Sequence, residues 1–260
     1  MTDHDESRPL SVAVFGASVT LMVTGPRPEP GPYLTYPAVL ARQNIEGRRF
    51  DVTNDSRIYG LVKDYVDIGL TTVARERPDV VVLQFGLGET FPRIVPRRLV
   101  MHLLGVRRHS SRMRDKYWRR TRSILSTLHG IERRIDARLP VGWSRMPVRR
   151  FESELDLLCQ RIREQVGSRI VLMTAYPPTA PTPFLTPKLL RRIDAINAAI
   201  LRVAATNSAT VFPLDDIVAA HGAVLPDGLH MSVDLHRVVG EQLAQCLVRV
   251  APRLAAGSGR

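Results

Sequence analysis

Cysteine is scarce in this chain: only Cys159 and Cys246 occur among 260 residues. Each stands in a helical pattern beside leucines, Leu157 and Leu158 for the first and Leu243 and Leu247 for the second. Both therefore read as small core residues rather than a disulfide or a metal pair. No CxxC, HExxH or clustered His/Cys spacing is present, so no metal and no other cofactor is expected. Long apolar runs are missing too. The main uncharged apolar run, roughly 11–24, is too short to span a bilayer and holds Gly16, Ser18 and Thr20. The opening MTDHDESRP lacks a basic leader region, and the chain is expected to be cytoplasmic. No internal repeat is visible.

Acidic residues are nearly absent from one segment. Between Arg93 and Arg150 there are 17 Lys and Arg against three Asp and Glu, while the rest of the chain carries 20 against 22. The formal net charge of +12 thus comes entirely from that segment. An anionic partner is expected there and not for the scaffold as a whole. Four readings compete: a solvated Arg-rich lid over the active site, a membrane surface, an acidic acyl carrier protein, and nucleic acid. No recognised nucleic-acid motif supports the last.

The rest of the chain alternates strands and helices. Strand patterns occupy 11–16, 49–53, 78–86, 169–175 and 209–214, and helical patterns occupy 36–46, 61–76, 151–166, 188–206 and 232–250. This alternation predicts a three-layer α/β/α fold with a parallel sheet of about five strands, in one domain over 1–260. The basic segment 93–150 breaks the alternation and reads as an insertion or lid, its last part supplying the next helix. Ligands of such sheets bind beyond the carboxyl ends of the strands.

Two motifs carry chemistry. Ser18 stands two residues past the first strand, in Gly16-Ala17-Ser18-Val19, where its hydroxyl can open toward the strand ends and its own N–H can meet an oxyanion. Capping the following helix is the plainer use of such a serine. Near the other end, Asp227-Gly228-Leu229-His230 places a carboxylate three residues before an imidazole. A serine nucleophile needs such a base, and the carboxylate holds the imidazole in the useful tautomer. A plain Asp-Gly turn followed by a helix cap is the alternative.

Taken together, the two motifs resemble the GDSL and DxxH blocks of the SGNH (GDSL-like) esterase and acyl-hydrolase family, with Ala17 in the usual Asp place. Asn54 to Gly60, NDSRIYG, resembles that family's second block, one residue longer than usual, and Leu87-Gly88-Glu89 resembles the third, usually GxND. Tyr36-Pro37-Ala38 and the helix holding Asn197 are further likenesses. The resemblance covers the chain apart from the basic segment. It implies a flavodoxin-like fold and a triad of Ser18, Asp227 and His230. Ser18, Gly60, Gly88 and Asn54 are then the oxyanion and substrate-binding positions.

Gly88 replaces the third-block asparagine, whose side chain normally donates to the oxyanion. Glu89 as a carboxylate has no proton to offer in its place. The implied activity is hydrolysis of an ester or thioester. The alternatives are acyl transfer to a non-water acceptor on the same triad, or a binding protein on a decayed scaffold. Asp215 and Asp216 are expected to cap a helix or touch substrate, His236 to be structural, and His102, His109, His129 and His221 to have no role.

Overall fold

The computed structural model describes residues 8–21, 35–57, 60–92, 127, 130–132, 134–136, 138, 144–179, 185–221, 225 and 228–251. The central β-strands are continuous runs of branched apolar residues. In β1 (Leu10–Gly16) and β4 (Val80–Gln84) almost every side chain is buried, as strands covered on both faces by helices require. Beside them lie β3 (Arg48–Asn54), β5 (Arg169–Met173) and β6 (Thr210–Phe212). These five are parallel, in the order β3-β1-β4-β5-β6.

A sixth, very short strand extends the edge. β2 (Asn44–Ile45) pairs antiparallel with the start of β3. The helix expected over 36–46 therefore stops early, as α2 (Tyr36–Leu40), and α1 (Ser18–Leu21) precedes it. The cause is a two-residue hairpin turn, Glu46-Gly47, with φ of 53° and 78°. Positive φ at both central residues matches the twist of a tight hairpin, and an Asn44–Ile45 strand competes there with the helix.

The helix expected over 61–76 is two helices, α3 (Val62–Tyr65) and α4 (Ile68–Glu76), interrupted at Val66 and Asp67. After β4 comes the short α5 (Leu87–Thr90). The next helix, α6 (Val148–Val166), takes only its first three residues from the basic segment and lies otherwise beyond it. Its buried face is Phe151, Leu155, Leu158, Cys159 and Ile162, spaced as one side of a helix, and Gly167 ends it. Then come α7 (Pro187–Thr206), α8 (Leu214–Ala220) and α9 (Val233–Val250). On one side of the sheet α6 packs against α3, α4 and α7, and on the other α9 packs against α2 and reaches β6. The layers are thus helix, sheet, helix.

The chain leaves β1 toward β3 on one side and later returns to β4 on the other. The carboxyl end of β1 is where the strand order reverses, and a crevice forms at such a point. Among the described residues no helix is long and apolar enough to cross a membrane.

Candidate active site

Ser18 and His230 are 212 positions apart in sequence, yet the serine Oγ lies 3.2 Å from the His230 Nε2. Ser18 is held there because β1 ends at Gly16 and α1 starts at once. Two residues on, the Thr20 hydroxyl donates to Gln84 Oε1 at the end of β4, 2.7 Å away, and the Tyr36 hydroxyl reaches the same oxygen at 3.0 Å. Gln84 thereby ties the helix that carries Ser18 to the sheet and to α2. Burial pushes the Tyr36 phenol well above its ordinary pKa, so it stays a proton donor. Nothing in the sequence singled out Gln84, because a lone glutamine in an apolar strand carries no spacing signal.

His230 is buried and fixed by its loop. Gly228 N donates to Leu225 O, Thr179 N donates to Gly228 O, and the Tyr176 hydroxyl donates to Leu229 O at 2.8 Å. Ser232 then caps α9 by accepting from Leu235 N. With the ring proton on Nδ1, Nε2 is free to accept the serine proton. Asp227 lies outside the described residues, as do His102, His109 and His129.

The second-block loop is bound to the end of β1. Arg57 N donates to Gly16 O, and the Tyr65 hydroxyl sits 2.8 Å from Gly16 O and 3.0 Å from Asp55 O. At Gly60 a Cβ would come within 3.0 Å of Arg57 O and 3.1 Å of Gly16 O, so a side chain there would push backbone aside by a few tenths of an ångström. Its N–H, however, donates to Arg57 O at 2.9 Å and is occupied by the turn. Asn54 is likewise engaged elsewhere: it is exposed, and its Oδ1 accepts from Ser56 N as an Asx turn at the end of β3.

Gly88 behaves differently. It lines one small pocket with Ser18, and the other walls include Val19, Phe85, Phe91, Tyr176 and Leu229. A Cβ there would meet Gly60 O and a Leu61 methyl only at 3.8 Å, an ordinary contact distance. The N–H groups of Ser18 and Gly88 donate to no group among the described residues. Without a side chain at 88 the pocket keeps room there, beside two backbone N–H groups unclaimed among the described residues.

Glu89, next in the chain, turns away from the pocket. Its carboxylate accepts from Val62 N and from Gly86 N, both at 2.9 Å, and so locks the third-block loop to the start of α3. The Glu89 side chain reaching back to the Gly86 N–H is one half of a capping box; Gly86 has no side chain to return it, and Glu89 N donates to the Gly86 carbonyl instead. Burial raises the Glu89 pKa, against the pull of those N–H donors and of Arg145. A raised carboxyl pKa means the folded chain binds the proton more tightly than the unfolded one. Stability relative to Glu89→Gln is thus expected to be greatest below the ordinary carboxyl pKa and to decline as pH rises through the elevated one. Paired urea titrations of the two proteins across pH check this, and a pH-independent difference contradicts it.

Gly86 has φ of 113°, and a Cβ on it would lie 2.6 Å from the Ile196 Cγ2. Gly86→Ala is expected to cost about 2–4 kcal/mol from strain and overpacking, read as a fall in thermal midpoint.

The other candidates serve the scaffold. Asn197 pairs both ways with the Ala175 peptide, at 2.8 and 2.9 Å, and donates to Asp215. Asp215 also accepts from the Thr174 hydroxyl at 2.6 Å, so it braces the end of β5 and is not the cap of α8, which is Pro213. Asp216 sits in the first turn of α8, where its N–H donates to Asp215 Oδ1. His236 is fully buried, accepts from Tyr36 N and stacks on the Tyr36 ring. His221 is exposed at the end of α8. Both cysteines are free thiols, and burial pushes Cys159 up to about 12. Among the described residues no three His, Cys, Asp or Glu side chains converge as a metal site would require.

Comparison with known proteins bears on family and fold. The model of the GDSL-like lipase/acylhydrolase family matches residues 14–238. No curated protein sequence matches the chain. Among solved structures, TesA is similar at 17% identity and a TM-score of 0.59, covering 93% of this chain and 99% of its own. The aryl esterase of M. smegmatis is similar at 13% identity, with the same TM-score and the same coverage. Est24, a carbohydrate acetylesterase from Sinorhizobium meliloti, is similar at 12% identity, a TM-score of 0.59, and again 93% and 99% coverage. At such identities the likeness is one of fold.

Proposed function

The chain belongs to the GDSL-like lipase/acylhydrolase family, enzymes that hydrolyse ester bonds, and on that premise we propose that it works by double displacement through an acyl-serine at Ser18. The observation that carries this reading is the 3.2 Å approach of Ser18 Oγ to His230 Nε2. Ser18 Oγ attacks the acyl carbonyl while Nε2 takes the hydroxyl proton. The tetrahedral oxyanion meets the open N–H groups of Ser18 and Gly88. The C–O bond to the leaving group then breaks, and the imidazolium returns its proton to the departing alcohol. Water, deprotonated by the same nitrogen, attacks the acyl-serine; the Oγ–acyl bond breaks, the acid leaves, and the imidazolium returns its proton to Ser18 Oγ. Asp227 accepts from the Nδ1–H and steadies the imidazolium.

The apolar walls Val19, Phe85 and Phe91 suit an acyl group, and Gln84 faces the same pocket as a polar floor. A fluorophosphonate probe, which forms a stable phosphonyl ester on activated serines, tests the assignment. The expected adduct maps to the peptide holding Ser18. An adduct on another serine, or none at all, overturns the reading.

A further inference from the structure

The short helical stretch at 130–138 is built inside out. Ile131 and Ile135, one turn apart, are 45% and 37% exposed, whereas Glu132 and Asp136, also one turn apart, are only 1% exposed. Surface helices ordinarily bury the aliphatic pair and expose the carboxylates. Here the acids face the protein. Asp136 takes an ion pair from Arg192 of α7, and its carbonyl accepts from Lys188. On the outer side, Arg134 and Arg138 are exposed and pair with no carboxylate among the described residues. Of the three acidic residues in 93–150, two are these buried ones, and the described exposed charges beside the isoleucines, Arg134 and Arg138, are both positive.

We propose that this face docks on an anionic lipid bilayer. Paired isoleucines flanked by guanidinium groups match a bilayer's boundary, where aliphatic side chains enter the acyl region and cations sit at phosphate level. A second copy of the chain is disfavoured, because it would bring two strongly positive faces together. The surface is also mechanically joined to the pocket. Arg192, which holds Asp136, donates as well to Thr90 O at the end of α5, the helix that carries Gly88. The inference stands apart from the acyl-serine reading, because binding is measured without turnover.

The experiment is co-sedimentation of the full chain with vesicles of phosphatidylcholine alone, or with about 30% phosphatidylglycerol, at about 0.1 M salt. Binding is expected to be at least about 10-fold tighter to the anionic vesicles. The pair Ile131→Gln/Ile135→Gln is expected to weaken it about 10-fold, and Arg134→Gln/Arg138→Gln comparably. Ile131→Gln alone, at the more exposed position, is measured beside the pair and should show a smaller loss with an unchanged melting curve. Equal binding to both vesicle types, or variants that bind as wild type does, overturns the proposal. So does tighter binding to an acidic carrier protein or to duplex DNA at the same salt. A concentration-dependent dimer abolished by the Ile pair overturns it in favour of a second copy.

Discussion

Ser18→Ala is expected to lower kcat/KM for a simple aryl ester by at least about 10⁴ while leaving the thermal midpoint close to wild type. The first half of that expectation follows from the chemistry. Alanine removes the atom that would form the acyl bond, and no other hydroxyl or thiol described in the structure takes its place. Cys159 is buried and its thiol is held protonated, and Cys246 lies in α9 with its thiol pushed the same way. The second half follows from packing. Among the described residues the Ser18 hydroxyl contacts only His230, whereas α1 is anchored by Thr20 through Gln84. Residual activity above the uncatalysed rate is expected from the open N–H donors. Asp227→Asn should fall by a similar factor, because the amide presents the imidazole with the wrong tautomer. Ser18→Ala activity within tenfold of wild type would show that the ester bond is broken by some other group.

The parts of this molecule legible in the sequence are those encoded by local pattern. Continuous apolar runs such as VVVLQ at 80–84 can only be buried strands, and the Phe151-to-Ile162 spacing can only be one face of a helix. The parts that were not legible depend on partners distant in sequence. Gln84 looks like a flaw in a strand until Thr20 and Tyr36 converge on it from two other elements. Glu89 looks like an exposed acid in a loop until the Val62 N–H meets it from 27 residues away. The break between α3 and α4 and the Glu46-Gly47 hairpin have a different cause. In both places weak local signals for helix and turn compete, and packing decides. The Ser18–His230 pairing is a mixed case. Each motif alone fits a plain cap or turn, and only their resemblance to ordered family blocks made the contact expected. For Asn54 and Gly60 the resemblance offered roles that the local contacts do not reveal: the Asn54 Oδ1 accepts from Ser56 N, and the Gly60 N–H donates to Arg57 O.

Gly88→Asn is expected to raise kcat by about 10- to 100-fold with little change in KM. The position accepts a side chain, since a Cβ there meets its nearest neighbours at 3.8 Å, and it lies in a helical turn where asparagine costs no more than glycine. The new amide would share the pocket with Ser18 and offer an N–H where negative charge develops, without gripping the neutral carbonyl more tightly. That is a gain confined to the transition state, which is why kcat should move and KM should not. Two comparisons isolate the donor. Gly88→Ala fills the same first atom of space but donates nothing, and should stay near wild type. Gly88→Asp has the size of asparagine but places a carboxylate beside the oxyanion, and should be slower than wild type. If all three variants lose activity together, the space over Gly88 is needed by the substrate itself. In that case the glycine is a determinant of which acyl groups fit, and the two backbone N–H donors carry the oxyanion unaided.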